Sequence, residues 1–474
     1  MDSNEFYKLL KTSFPFKPTL KQNIGLQQLS NFIYSTTANE LFVLKGYAGT
    51  GKTTIIGVLV KNLWHAQKTA VLLAPTGRAA KVISNYSKSE AFTIHKKIYV
   101  PRAEKNGKMS FVLAPNKHKK TLFIVDEASM ISDISNQAKL FGSGSLLDDL
   151  IQYVYSGPQC KLLLIGDTAQ LPPVKLDLSP ALNESNLELN YNKEVIRLEL
   201  DEVVRQGEDS GILFNATHLR EAVSNSYFDS FHFNLKGFKD IVRLNDGYEI
   251  LDAINDAYST LGSEDTALIV RSNKRANLYN EQIRSRILFN ENELTSGDFL
   301  MIVKNNYFWL KPTSEAGFIA NGDIIEVLEI FSIKELYGFR FAEVKIRMVD
   351  YPKMRPFETV LMLDTIKLET PSLPYEESNK LYQEILKDFE DESSSYKKFL
   401  GVKKSKYLNS LQVKFSYAIT CHKSQGGQWD TVFVEQPYLP NGIDRDYLRW
   451  LYTAITRAKE KLYLIGFKDD FFED

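Results

Sequence analysis

The sequence predicts an α/β protein built on parallel sheets, and three observations carry that expectation. Short apolar runs, Leu41–Leu44, Ala70–Ala74, Leu122–Val125 and Leu162–Ile165, alternate with stretches of helical spacing. Each run is nearly continuous in apolar residues, as strands covered on both faces require. Each is soon followed by Gly, Pro, Thr or Asp, the residue types expected where ligands gather at the carboxyl ends of parallel strands.

The elements follow in chain order. A polar opening segment reads as helical up to Phe32. Between His95 and Thr121 the character changes, and Ile98-Tyr99-Val100 and Phe111-Val112-Leu113 flank Asn106-Gly107, a strong hairpin signal. A second α/β unit begins near Tyr191, with Ala267–Val270 as a strand and Lys274–Arg286 as a helix. It is interrupted after Asn321-Gly322-Asp323, where Ile324–Val349 alternates apolar and polar residues like a small β-barrel. Pro374–Lys406 reads as a charged helical surface, an acidic cluster (Asp388, Glu390, Asp391, Glu392) preceding a basic one. The second unit resumes at Leu411 and ends on the strand Leu462–Ile465.

Composition narrows the function. At 474 residues the chain exceeds one ordinary core and should divide into two to four domains. Lys plus Arg (58) nearly cancel Asp plus Glu (59), which excludes a non-specific polycation. Any nucleic-acid binding must come from local basic and aromatic grooves. The two cysteines, Cys160 and Cys421, are far apart, which argues against a disulfide framework or a structural zinc and fits a reducing compartment. No signal peptide and no run of about 18 apolar residues is present, so a cytoplasmic protein is expected.

Gly46-Tyr47-Ala48-Gly49-Thr50-Gly51-Lys52-Thr53 matches G-x-x-x-x-G-K-[ST], follows a strand and opens a helix that continues through Thr54. The glycines let backbone N–H groups turn around a phosphate, and the helix N-terminus adds its positive end. Lys52 is expected on the β- and γ-phosphates of ATP and Thr53 on Mg²⁺. The run ending Val125-Asp126-Glu127 supplies a metal-holding carboxylate, Asp126, and a base, Glu127, that would orient and deprotonate the attacking water.

Further strand ends carry Ala74-Pro75-Thr76-Gly77-Arg78, Thr93-Ile94-His95, Gly166-Asp167-Thr168-Ala169-Gln170, Thr420-Cys421-His422-Lys423-Ser424-Gln425-Gly426 and Tyr452-Thr453-Ala454-Ile455-Thr456-Arg457. In this order they resemble the motifs of superfamily 1B helicases, RecD-like and Dda-like, over nearly the whole chain. The resemblance implies two RecA-like parallel-sheet motor domains, 1A (1–96 and 119–190) and 2A (191–322 and 411–474). It also implies a β-hairpin pin (97–118) and an SH3-like β-barrel with a charged helical extension (323–410). By position, Gln22 would read the adenine edge and Gln170 would sense the γ-phosphate. Arg205 and Arg457 would be the arginines of the second motor domain, and Gly426 would approach the nucleotide from that domain. Thr76, Arg78, Thr93, His95, Thr420, His422 and Lys423 would line a groove for single-stranded DNA.

Small hydroxyls suit phosphate oxygens, which carry no sequence information, and non-specific strand binding also needs stacking platforms. Phe92, Tyr279, Phe308, Trp309 and Trp429 are candidates, each with a buried-core alternative. Tyr99, Met109 and Phe111 could form the wedge of the pin, or belong to a passive surface hairpin. The expected protein is a monomeric ATP- and Mg²⁺-dependent DNA helicase acting at single-strand/duplex junctions, and the resemblance implies 5′-to-3′ movement. A translocase without strand separation, a non-catalytic nucleotide-binding subunit and an RNA track remain the alternatives.

Overall fold

The computed structural model describes residues 1–103, 109–133, 142–202, 210–224, 231–311 and 314–472. Helices α1 (Ser3–Ser13) and α2 (Leu20–Tyr34) each start on a capping box, at Asp2 and Thr19. They bury Phe6, Leu10, Leu26 and Phe32 against the first sheet. That sheet grows from β1 (Glu40–Gly46), β2 (Thr69–Ala74) and β3 (Ala91–Thr93). Between them run α3 (Lys52–Asn62), α4 (Gly77–Ser87) and, after β3, the single-turn α5 (Ile94–Ile98). A two-stranded hairpin, β4 (Tyr99–Ala103) and β5 (Met109–Leu113), interrupts it. Then β6 (Thr121–Val125), β7 (Lys161–Gly166) and β8 (Glu194–Leu200) complete a parallel sheet of order β3-β2-β6-β7-β1-β8. All five residues of β6 and all six of β7 are buried, matching the continuous apolar runs that announce them.

The second parallel sheet has order β16-β10-β17-β18-β9. Its strands are β9 (Ile241–Leu244), β10 (Thr266–Val270), β16 (Ala418–Thr420), β17 (Trp429–Glu435) and β18 (Ala458–Ile465). Between β10 and β16 the chain closes a five-stranded barrel from β11 (Phe299–Ile302), β12 (Ile324–Leu336), β13 (Phe339–Met348), β14 (Phe357–Met362) and β15 (Leu411–Phe415). Helices Tyr375–Lys387 and Ser395–Lys404 lay Leu381, Ile385 and Val402 against Phe339, Phe341, Val360 and Met362 of that barrel. The charged run is therefore the outer face of an amphipathic cover.

Two boundaries differ from the sequence reading. Residues 194–200, assigned to domain 2A, form β8, which pairs in parallel with β1 across Glu40–Gly46. The barrel takes in β11 before residue 323 and β15 after residue 410, both assigned to 2A. Short apolar runs buried on both faces read alike in a barrel and in a parallel sheet, so periodicity could not separate them.

Candidate nucleotide cleft and strand groove

Strands β1, β6 and β7 lie side by side, so their carboxyl ends bring three chain-distant loops to one edge. In the loop after β1, Gly49 and Gly51 have φ of 75° and 83°, the left-handed region that glycine enters without steric cost. Lys52 Nζ donates to the carbonyls of Gly46 (2.5 Å) and Tyr47 (2.8 Å), holding the ammonium inside the loop. A side chain at Gly46 would stand 2.9 Å from Lys52 Cγ, so glycine there leaves the lysine its path. Thr50 is buried and its hydroxyl donates to Tyr47 O at 2.8 Å, fixing the loop from behind. Gln22 is tied at both ends, Oε1 accepting from Thr19 N (3.0 Å) and Nε2 donating to Thr50 O (3.0 Å). It lines the cavity and braces the loop.

After β6, Asp126 Oδ2 accepts from the Tyr86 hydroxyl at 2.7 Å and Oδ1 from the Glu127 N–H at 2.9 Å. Glu127 sits at φ 54°, a left-handed conformation costly for a residue with a Cβ. Burial pushes its carboxyl pKa upward, while the Arg457 guanidinium draws it back down. Arg457 is itself buried, 3% exposed, although it belongs to the second sheet. Its Nε donates to Thr453 O at 2.9 Å and its Nη1 lies 4.0 Å from Glu127 Oε1, across the cleft. Gln170, beyond β7, is 7% exposed and its Oε1 has no hydrogen-bond partner among the described residues.

These groups share one cavity of 790 Å³, lined by Ala48, Gly49, Gly51, Lys52, Thr53 and Thr54 with Asp126, Glu127 and Gln170 from one sheet. Gln428, Thr456, Arg457 and Lys459 line it from the other. The chemistry fits a nucleoside triphosphate: loop amides and an ammonium for phosphates, and an orphaned buried amide that a ligand would satisfy. Hydroxyl and carboxylate oxygens from Thr53 and Asp126 suit a hard divalent cation such as Mg²⁺.

Sequence reasoning missed three tyrosines here. Tyr86 holds Asp126. Tyr47 donates to Glu199 at 2.7 Å and lies under the Arg220 guanidinium at 4.6 Å. Tyr452, on helix Arg445–Ile455, donates to Asp167 Oδ2 (2.6 Å) and accepts from the Ala48 N–H (2.9 Å), stitching the second sheet to the phosphate loop. Tyr452 stands in a quoted motif, but nothing in its spacing announces two partners across the cleft.

Some expected positions differ. Gly426 does not line the cavity. At φ 72° it meets α4, where an added Cβ would stand 2.8 Å from Ala79 Cβ and 3.1 Å from Thr76 Oγ1. Arg78, expected on the strand, lines the nucleotide cavity with its guanidinium 4.0 Å from the Trp429 ring centroid. That stack also removes Trp429, 3% exposed, as a base platform. Tyr279 is buried with its hydroxyl 3.1 Å from Glu435, and Trp309 donates Nε1 to Asn409 O at 2.8 Å. Phe92, under the Lys96 and Lys97 ammonium groups, and the exposed Phe308 remain as platforms. Tyr99 is no wedge, because it is 6% exposed and donates to Asp149 at 2.6 Å. Phe111 packs on Tyr307, ring centroids 4.6 Å apart, joining the hairpin to the segment before β12. Arg205, the Asn106-Gly107 turn and the Met109 side chain lie outside the described residues.

Strands β2, β3 and β16 carry the remaining strand candidates at or just beyond their carboxyl ends. Thr76 and Thr93 cap α4 and α5, accepting from Ala79 N (3.2 Å) and Lys96 N (3.3 Å). An accepting hydroxyl still has its proton to donate to a phosphate oxygen. Thr420 makes no side-chain cap to the turn it opens. Lys423 bonds Asn321, and burial with Lys414 nearby pulls its pKa to about 8. His422 keeps part of its surface in solvent, while desolvation by the protein packed around it, and then Arg271, lower its pKa. Burial holds His95 at about 4, so that imidazole stays neutral.

Residues 27–231 match the AAA domain family model, and residues 415–465 match the UvrD-like helicase C-terminal domain model. The ATP-dependent DNA helicase dda of Enterobacteria phage T4 is 25% identical over 454 residues, 89% of this chain and 93% of that protein. The two models and this relative are consistent with the superfamily 1B resemblance that the motifs carry. The ATP-dependent RecD2 DNA helicase of Deinococcus radiodurans is 30% identical over 153 residues, 32% of this chain and 19% of that protein. Among solved structures, the Pif1 helicase from Candida albicans covers 96% of both chains at 15% identity and a TM-score of 0.44. Among the described residues, no helix is long and apolar enough to cross a membrane.

Proposed function

We infer that the protein is an ATP-dependent DNA helicase that moves along single-stranded DNA and opens duplex at a single-strand junction. The observation that carries this is Arg457, delivered by the second sheet to within 4.0 Å of Glu127 on the first. A guanidinium from one lobe beside the base of the other makes hydrolysis depend on lobe closure, and closure is what a motor converts into motion. In this reading Lys52, the loop amides and Gln170 hold the phosphates. Thr53 and Asp126 hold Mg²⁺, which neutralises charge on the phosphate oxygens when bound. Glu127 accepts the proton of the attacking water, and Arg457 stabilises charge on the transferred group. Arg205 would add a second guanidinium from the same lobe, and Gln22 sets the loop from behind the base site.

Thr76, Thr93, Thr420, His422 and Lys423 form the proposed track, with Phe92 and Phe308 as stacking platforms. We further propose 5′-to-3′ movement, as the superfamily 1B resemblance of the motifs implies, by a monomer in the cytoplasm. Unwinding of duplexes bearing a 5′ tail against those bearing a 3′ tail tests the assignment. Opening of the 5′-tailed substrate alone is expected, and opening of neither overturns it. A translocase that does not separate strands is favoured by one observation, the burial of Tyr99, which removes a wedge residue from the hairpin. Strand-stimulated ATP turnover without unwinding would select that reading.

A further inference from the structure

Helix α4 is loaded along its whole length by other parts of the molecule. At its start, Thr76 caps the helix and Gly426 of the second lobe packs against Ala79. Along its face, Arg78 stacks on Trp429, and Lys81 Nζ donates to Val349 O at 3.2 Å. The same Nζ lies 3.7 Å from Asp350 Oδ1, beyond the barrel strand β13. In its last turn Tyr86 donates its hydroxyl to Asp126 Oδ2 at 2.7 Å. The two ends are roughly 14 Å apart, from the rise of an α-helix. Packing on α3 is close: a Cβ at Gly57 would stand 3.7 Å from Tyr86 O.

We propose that α4 is a strut joining the DNA track to the metal, with Tyr86 as the positioning residue that sets the Asp126 carboxylate for Mg²⁺. This rests on the motor reading above. Asp126 has two oxygens, and the structure fixes both: Glu127 N–H orients Oδ1 and the Tyr86 O–H orients Oδ2. Each oxygen keeps a lone pair for a cation or its water. A strand phosphate seated at Thr76 bears on the N-terminus of the same rigid helix, and Tyr86 moves with it. Partners of this kind, one bond removed from the metal, change metal affinity by about 10- to 100-fold when removed.

The test is Mn²⁺ binding to the full chain with ADP, read as the loss of the free-ion electron paramagnetic resonance signal, with and without a short oligothymidylate. Mn²⁺ stands in for Mg²⁺ because both prefer hard oxygen ligands. Tyr86→Phe is expected to weaken Mn²⁺ binding about tenfold and to abolish the tightening that the oligonucleotide gives the parent. Asp126→Asn serves as the control that must weaken it further. Equal Mn²⁺ affinity in Tyr86→Phe and parent overturns the proposal, and so does a parent whose Mn²⁺ affinity ignores the oligonucleotide. A melting temperature for Tyr86→Phe separates misfolding from positioning. Should it fail to fold, Thr76→Ala replaces it, and retained oligonucleotide-induced tightening there overturns the strut. A parent that binds Mn²⁺ as expected but shows no strand-stimulated turnover sinks the motor reading instead.

Discussion

Asp126 and Glu127 are neighbours in the chain, yet the structure gives their carboxyl groups different work. Both Asp126 oxygens are oriented by donors, whereas Glu127 is turned by its left-handed backbone toward Arg457. Strain of that kind, of order 1–3 kcal/mol, persists where the surroundings over-determine it, commonly at functional sites. Glu127→Gln keeps the shape and removes the proton acceptor. ATP binding is expected to survive while single-turnover hydrolysis falls at least about 100-fold; turnover at the parental rate would remove Glu127 as the base. Lys423 gives a pH prediction. With its pKa drawn down from 10.5 to about 8, it is charged below that value and neutral above it. DNA affinity should therefore fall as pH rises through about 8 in the parent, and hold in Lys423→Arg, when measured by fluorescence anisotropy. A parental affinity that is flat across this range would take Lys423 off the track.

At the scale of elements, the phosphate loop, the acidic strand end and six of the eleven strands in the two sheets were legible because each rests on a local pattern. The continuous apolar runs of β1, β2, β6, β7, β10 and β18 mark strands that recur in the structure. What resisted reading was membership. β8 joins the first sheet and β15 the barrel because of partners distant in sequence, and no residue within either run encodes that choice. The hairpin shows the same limit: Asn106-Gly107 marked a turn, but burial of Tyr99 depends on Asp149, 50 positions away. Loss of that hydroxyl leaves a buried carboxylate short of a donor, which costs about 1–3 kcal/mol. Tyr99→Phe should lower the urea midpoint accordingly and leave ATP turnover per folded molecule unchanged. Unchanged stability would contradict the buried assignment.

At the scale of the molecule, the two sheets meet through side chains that belong to one and bond the other. Tyr452 holds Asp167 and the Ala48 N–H, Thr453 Oγ1 accepts from Leu171 N at 2.8 Å, and Gln425 Nε2 donates to Leu171 O at 2.7 Å. Helix Arg445–Ile455 is thereby keyed to the loops that would hold the phosphates, and Arg457 follows directly from its end. Motif order in the sequence placed these residues in one family of sites, but the keying itself is a property of the closed arrangement. Single-residue spacing carries no trace of it.

The account stands on the cleft being catalytically composite, and Arg457→Ala tests that most directly, with ATP binding and strand-stimulated hydrolysis measured on the same preparation. Nucleotide affinity is expected to stay near that of the parent while hydrolysis falls about 1,000-fold or more, the scale of an arginine supplied to a transferring phosphoryl group. Hydrolysis at the parental rate by Arg457→Ala would show that one lobe does the chemistry alone, and would contradict the engine described here.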